Sequence, residues 1–213
     1  MEPISGIILA GGSSSRLGQN KALIQVEGEL LIERVVRKLR PLLAEIVVVI
    51  GESQTRTAPH DLPFLGLRTV PDALIRDTYQ GIGTLGGLHA GLDAISTTYG
   101  LAVGCDMPFL NTDLIRYMIS LAHGYDAVMP HVDGYFEPLH AVYARRCRHA
   151  FERAILGGQW RVLDACAGMR MRYVQGDEVA RYDPDRLSFF NVNTPQDLAH
   201  MQAILARQAM AIL

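Results

Sequence analysis

The sequence predicts an α/β fold in one domain, with a mostly parallel sheet covered on both faces. Three observations carry that expectation. Short apolar runs alternate with segments of helical period. The runs around Ile7, Val48 and Val103 are apolar on both sides of the strand, as in parallel sheets buried on both faces. No repeat, low-complexity tract or Pro/Ser-rich linker divides the 213 residues.

The run from Ile4 to Ala10 reads as the first strand, since Ile-Ile-Leu-Ala has no polar face and stops at Gly11-Gly12. From Glu29 to Arg40, Leu31, Val35 and Leu39 share one stripe, Glu33 and Arg37 form an i,i+4 pair, and Pro41 ends the segment, which predicts a helix. Ile46 to Ile50 is a β-branched run and reads as a strand. A short strand is expected from Leu67 to Val70, and a helix from Gly86 to Ile95, whose glycines weaken it. Leu101 to Gly104 is another strand. Asn111 or Thr112 can cap a helix that runs to about His123 and stops at Gly124. Further strands are expected at 127–129 and 139–143. Thr194-Pro195-Gln196-Asp197 starts a C-terminal helix with Leu198, Met201 and Leu205 as its buried stripe. The stretch from Pro71 to Gly87 reads as a loop inside the domain.

The composition is 49% hydrophobic and 20% charged, too apolar for a disordered chain. Lys+Arg 20 against Asp+Glu 22 gives a net charge of -2, so no basic footprint for nucleic acid is present. Recognition of a polyphosphate must then be local. Cys105, Cys147 and Cys166 lack metal or disulfide spacing and are expected to be buried free thiols. Acidic Glu2 before a short apolar run does not make a signal peptide, and no run approaches the ~18–20 residues of a membrane span. A cytoplasmic protein without a membrane segment is expected.

In open α/β sheets the ligand site lies beyond the carboxyl ends of the strands. The first such end continues as Gly11-Gly12-Ser13-Ser14-Ser15-Arg16-Leu17-Gly18-Gln19-Asn20-Lys21. Glycine backbone can approach an anion, serine hydroxyls such as Ser14 add donors, and Arg16 and Lys21 supply charge. The spacing is not that of a P-loop, since Gln19 follows Gly18. A solvated surface loop is the plainer reading of the same residues. Gly81-Ile82-Gly83-Thr84-Leu85-Gly86 matches a dinucleotide fingerprint, with Asp106 about 20 residues on. It follows polar Asp77-Thr78-Tyr79-Gln80 rather than a strand, so its glycines are expected to shape a loop and a helix start. Cys105-Asp106-Met107-Pro108 places a carboxylate directly after a strand, suited to Mg²⁺ or to a turn. Asp72 and Asp77 could contact base or sugar, or form turns. His89 and His140 read as packing residues, and Trp160 with Val162 and Leu163 as a local core cluster. With no His-x-x-x-His pair and no nucleophile elbow, the site is expected to work by positioning and charge.

Leu9-Ala10-Gly11-Gly12-x-Ser14-x-Arg16-x-Gly18-x-x-Lys21 resembles the signature of nucleotidyltransferases that activate sugars and pterins. Within them the chain is similar to the molybdenum cofactor guanylyltransferases. Four more segments match in order: 83–88 with Gly91-Leu92, 105–109, 137–143 and 190–195. The resemblance implies a Rossmann-like three-layer sandwich with a mostly parallel mixed sheet, of the nucleotide-diphospho-sugar transferase type. It implies one nucleotidyltransferase domain over 1–213, with a nucleotide half at 1–109 and an acceptor half at 110–213.

The implied reaction joins GMP from GTP to molybdenum-molybdopterin and releases pyrophosphate. By the same resemblance Leu9, Ala10 and Gly11 meet guanine and ribose, and Gly12, Arg16 and Lys21 hold phosphates. Ser14, Asp72 and Gly86 complete the nucleotide set, and Asp106 is the Mg²⁺ ligand. Asn191 and Asn193 face the pterin. Val49-Ile50-Gly51-Glu52 stands where some relatives carry an Asn contact, so that contact is not carried over. Cofactor insertion proteins and target molybdoenzymes are the implied protein partners. Gly12 favours guanine over the cytidylyltransferases acting on the same acceptor, which often read Ala-Ala-Gly there. A sugar-phosphate nucleotidyltransferase would also suit these motifs, and so would a non-catalytic carrier of a nucleotide or of the cofactor.

Overall fold

A computed structural model describes residues 2–10, 21–50, 68–71 and 82–210, with 68–71 described by backbone alone. The strands are β1 (Ile4–Leu9), β2 (Gln25–Val26), β3 (Glu29–Leu30), β4 (Glu45–Ile50), β5 (Arg68–Pro71), β6 (Tyr99–Gly104), β7 (Ala127–Val132), β8 (Tyr135–Phe136), β9 (His140–Ala144) and β10 (Met171–Gln175). The helices are α1 (Leu31–Leu39), α2 (Thr84–Ala94), α3 (Thr112–Ser120), α4 (Cys147–Leu156), α5 (Val162–Ala165), α6 (Gly176–Ala180) and α7 (Pro195–Met210), with 3-10 turns at Lys21–Leu23 and Leu187–Phe189.

The main sheet runs β10-β7-β9-β6-β1-β4-β5, with β8 beside β7. β4, β1 and β6 are parallel neighbours, while β9 enters antiparallel between β6 and β7. The sheet is therefore mixed and mostly parallel, as expected. Ile7 and Ile8 point to opposite faces of β1 and both are fully buried, and all six residues of β6 are buried. Helical layers must cover both faces.

Two glycines set how closely α2 lies on β1. A Cβ on Gly91 would meet Ile7 Cγ2 at 2.3 Å, and one on Gly87 would meet Leu9 Cδ2 at 3.1 Å. Spaced i,i+4, they form a flat stripe on the helix face turned to the sheet. The helix begins at Thr84, two residues before the expected start, behind Gly83 at φ +59°.

Helix α1 begins at Leu31 and not at Glu29, because Glu29 and Leu30 pair with Val26 and Gln25 in a hairpin. Glu27 and Gly28 both have positive φ, the requirement of a two-residue type I′ turn. The expected Glu33–Arg37 pair does not form. Glu33 sits in the first turn and accepts from Leu30 N–H at 2.8 Å, while Arg37 holds Glu29 through two bonds of 2.8 and 3.1 Å. Helix α3 is capped by Asn111, whose Oδ1 accepts from Asp113 and Leu114 N–H. It ends at Ser120, short of His123, and Gly124 follows at φ +81°.

Trp160 does not join a core cluster. Val162 is buried, but Trp160 is 51% exposed, lying just after the Gly157-Gly158 end of α4. The three cysteines are buried free thiols. His140 is fully buried and both ring nitrogens lack hydrogen-bond partners among the described residues; burial holds its pKa down at about 4. It is a neutral packing residue.

A buried-edge ion pair fixes β10 to α6. Glu178 Oε1 accepts from Arg172 Nη2 at 2.5 Å and Tyr117 Oη at 2.5 Å, and Oε2 accepts from Gln175 N–H at 3.0 Å. The Arg172 bond is the largest cause lowering this carboxyl from 4.5 to about 2. A depressed folded-state value means stability present above about 4.5 and lost as pH falls toward 2. Glu178→Gln should cost on the order of 2 kcal/mol near neutrality, and its deficit against wild type should shrink at about pH 3. Urea unfolding at both pH values measures this; a deficit independent of pH would contradict it.

No described helix is long and apolar enough to cross a membrane.

Candidate active site

The strand order reverses direction between β1 and β6, and a crevice is expected beyond their carboxyl ends. Leu9 lies opposite Gly104 in the parallel register, Cys105 N–H donates to Leu9 O at 3.1 Å, and Ala10 N–H donates to Val49 O at 2.8 Å. Leu9 and Ala10 are thus fixed between the ends of β4 and β6. The loop that follows, with Gly11, Gly12, Ser14 and Arg16, lies outside the described residues, as do Asp72 and Asp77.

Where the chain resumes, Lys21 opens a 3-10 turn and its Nζ lies 3.1 Å from Asp106 Oδ2. The same Nζ donates to Asn193 Oδ1. Two residues, 85 and 172 positions further along the chain, therefore converge on the Lys21 ammonium. Lys21 and Asp106 side chains are only 19% and 17% exposed, so their charges meet in a partly desolvated place where they act strongly.

Each arm has its own support. A Cβ on Gly104 would meet Asp106 Oδ1 at 2.5 Å, so only glycine lets this carboxylate fold back beside the strand end. Asp106 O accepts from Val192 N–H at 2.9 Å, tying the β6 loop to the 190–193 segment. Asp197 Oδ2 accepts from the N–H groups of Asn193 and Thr194, at 2.9 and 2.8 Å, and Thr194 Oγ1 accepts from Asp197 N–H. This capping box was expected to start a helix; its second effect is to fix the backbone of Asn193. Sequence reasoning missed Asp197 as a positioning residue, although the capping-box spacing was the signal. Beneath the site, Ile24, Val26, Leu31, Phe109, Val192, Met201 and Ile204 form a small separate core, so α7 and the β2–β3 hairpin hold the polar arms from below.

Asn191 is placed differently from Asn193. Its Nδ2 donates to Phe189 O at 2.9 Å, within its own loop. Gly86 is buried in the first turn of α2. Cys105 precedes Asp106, but burial pushes its thiol far up, so it supplies no thiolate nucleophile. Among the described residues no group of three or more His, Cys, Asp or Glu could hold a metal ion.

The fold and these three arms can be set beside known proteins. The model of the MobA-like NTP transferase domain matches residues 6–171, well over half of the chain. The chain belongs to the MobA-like NTP transferase family. Among relatives of this MobA-like chain, a protein of Pelotomaculum thermopropionicum named "Probable molybdenum cofactor guanylyltransferase" is 38% identical over 91% of this chain and 89% of its own length. The "Molybdenum cofactor guanylyltransferase" of Desulfosudis oleivorans is 33% identical over 96% of this chain and 97% of its own. The crystal structure of molybdopterin-guanine dinucleotide biosynthesis protein A from Archaeoglobus fulgidus superposes with a TM-score of 0.80 at 28% identity, covering 95% of this chain and 99% of that one. As a family member the chain is a nucleotidyltransferase, and its mixed sheet is that of the family.

Proposed function

We propose that the chain transfers GMP from GTP to the terminal phosphate of molybdenum-molybdopterin, giving the guanine dinucleotide cofactor and pyrophosphate. The convergence of Lys21, Asp106 and Asn193 beyond β1 and β6 carries this reading. It has two supports: the names of the relatives, and the origin of the three residues in three of the motifs that resemble the guanylyltransferases. Residues 1–109 then serve the nucleotide and 110–213 the acceptor within one domain.

The acceptor is a phosphate monoester whose anionic oxygen is already a nucleophile. It attacks the α-phosphorus of GTP in line, the new P–O bond forms, and the bond to pyrophosphate breaks with its electrons leaving on oxygen. No protein base has to take a proton, which suits a convergence point built from an ammonium, a carboxylate and an amide. What the chain must do is orient two anions and neutralise the charge between them. Lys21 is held on Asp106 and Asn193 before substrate arrives, so its ammonium needs little reorganisation. Leu9, Ala10 and Gly11 would meet the nucleoside, and Gly12, Ser14, Arg16, Asp72 and Gly86 would complete the nucleotide contacts.

The residues present fit Mg²⁺. One hard carboxylate is enough, because this ion takes one or two carboxylates and fills its shell with phosphate oxygens and water. Asp106 Oδ2 is engaged by Lys21, while Oδ1 has no hydrogen bond among the described residues. When bound, the ion would neutralise phosphate charge. The product would pass to cofactor insertion proteins and target molybdoenzymes in the cytoplasm.

A thermal-shift series with GTP, CTP, ATP and UTP, each with Mg²⁺, tests the nucleotide assignment. GTP is expected to raise Tm most. Stabilisation by CTP but not GTP would contradict the reading, and no shift with any nucleotide would favour a carrier protein.

A further inference from the structure

We propose that Glu137 and the aromatic cluster beside it seat the pterin ring of the acceptor, with the Glu137 carboxylate accepting from the N–H groups of its 2-amino-4-oxopyrimidine edge. This rests on the reading above and adds the specificity residue for the acceptor.

The register places Glu137. Val103 of β6 lies opposite His140 of the antiparallel β9. Asp106 comes three residues after Val103, and Glu137 three residues before His140. Both therefore emerge past the same end of the sheet, on neighbouring strands. β9 lies on the side of β6 away from β1 and β4, whose ends hold Leu9 and Ala10. The turn is fixed from within: Glu137 N–H donates to Pro130 O at 3.1 Å, His140 N–H donates to Glu137 O at 3.2 Å, and the buried Tyr143 Oη donates to Pro138 O at 2.9 Å.

Glu137 differs from the acids of this half that are tied to a partner, and unlike the exposed Glu152, Asp164, Asp177 and Asp185 it is partly buried. Glu178 holds Arg172, Asp133 holds Arg186, and Asp183 accepts from Leu187 and Ser188 N–H. The half-buried Glu137 carboxylate has no hydrogen-bond or ion-pair partner among the described residues, and burial alone pushes its pKa up. Such a group costs free energy until a donor reaches it.

The adjacent Phe136 supplies a flat wall. Its ring stacks on His131 with centroids 4.3 Å apart and an interplanar angle of 19°, and lies 5.1 Å from Tyr173. His131 and Phe136 lie near the carboxyl ends of β7 and β8, Tyr173 lies mid-strand in β10, and all three are partly exposed. The Asp133–Arg186 ion pair fastens the β7–β8 turn to the segment that leads to Asn191 and Asn193.

A carboxylate facing two adjacent N–H donors makes a charge-assisted bidentate pair, and a planar heterocycle gains further by stacking on aromatic rings. Pterin and guanine share that edge. The position on the β9 side of β6 favours the pterin.

The test is steady-state guanylyl transfer with GTP, Mg²⁺ and molybdenum-molybdopterin, with KM measured separately for each substrate. Fluorescence titration with 6-hydroxymethylpterin as probe accompanies it. Glu137→Gln is expected to raise the acceptor KM by about 10-fold or more and to weaken the probe by a similar factor, since it loses a charged acceptor. The GTP KM should stay within about 2-fold. Glu137→Asp should recover part of the loss. If the Gln variant does not fold, Phe136→Leu is measured in its place, with the same direction expected in both assays. An unchanged acceptor KM in a folded variant overturns the proposal, as does a rise confined to GTP, which would assign the edge to guanine. Wild-type protein that transfers nothing to molybdopterin refutes the underlying reading, independently of any variant.

Discussion

Lys21→Ala is expected to lower the single-turnover rate of guanylyl transfer by about 10²–10³, the scale for removing one preorganised charge donor. The side chain is held at 3.1 Å from Asp106 and bonded to Asn193 before any substrate binds, so its charge is delivered without reorganisation. The substitution should change kcat more than the KM for GTP, because charge on the α-phosphate and departing pyrophosphate grows toward the transition state. Folding should survive. The surrounding arms are held by contacts that do not involve Lys21, namely Val192 N–H on Asp106 O and Asp197 on Asn193 N–H. An unchanged single-turnover rate would remove Lys21 from the mechanism.

The largest effect on stability is expected from Gly91→Val. Even a bare Cβ at this position would sit 2.3 Å from Ile7 Cγ2, far inside van der Waals contact. Ile7 cannot yield easily, since β1 is paired on both sides, with Val47 opposite it in β4 and Ala102 in β6. Helix α2 must instead lift from the sheet, opening the core at Leu85, Leu88 and Leu92, all fully buried. A cost of about 3 kcal/mol, the upper end for overpacking, follows because neither the strand nor the helix backbone can give way locally. For a chain of 213 residues that corresponds to a fall in Tm of roughly 6–12 °C. Calorimetry measures it, and a Tm within about 2 °C of wild type would show that α2 is not seated as described.

Those glycines show how the sequence could be read and where it could not. The strands β1, β4 and β6 were legible because Ile, Val and Leu fill both faces, a pattern with few other uses. Glycines at 81, 83 and 86 imitated a dinucleotide fingerprint, while Gly87 and Gly91, outside that pattern, lie against β1. Single-sequence periodicity does not distinguish a glycine that frees the backbone from one that makes room. The hairpin at Glu27-Gly28 was missed because glutamate rarely adopts positive φ. Asp133-Gly134, by contrast, is a plain type I′ signal that the strand reading at 127–129 stopped short of. β10 and α4 were also missed: Arg172 and Tyr173 break the apolar run of an edge strand, and the first turn of α4 carries Arg148 and His149 without a capping residue.

At the site, Lys21 and Asp106 were legible from motif and strand end, and Asn193 from resemblance. That Lys21 and Asp106 share a site was expected, but the bond from Lys21 to Asn193 was not, because it depends on α7 packing with the hairpin and Phe109. Asp197 is the clearest case. Its spacing from Thr194 predicts a helix cap, and only the fold shows that the same carboxylate fixes the backbone of Asn193.

GMP is expected to pass directly from GTP to a pterin phosphate. Single-turnover reaction of the protein with GTP labelled on the α-phosphate, Mg²⁺ and molybdenum-molybdopterin tests it most directly. Label is expected in the pterin dinucleotide, with one unlabelled pyrophosphate released for each transfer and no label on the protein at any time. Label retained on the protein during turnover, or incorporation from CTP in preference to GTP, would contradict it.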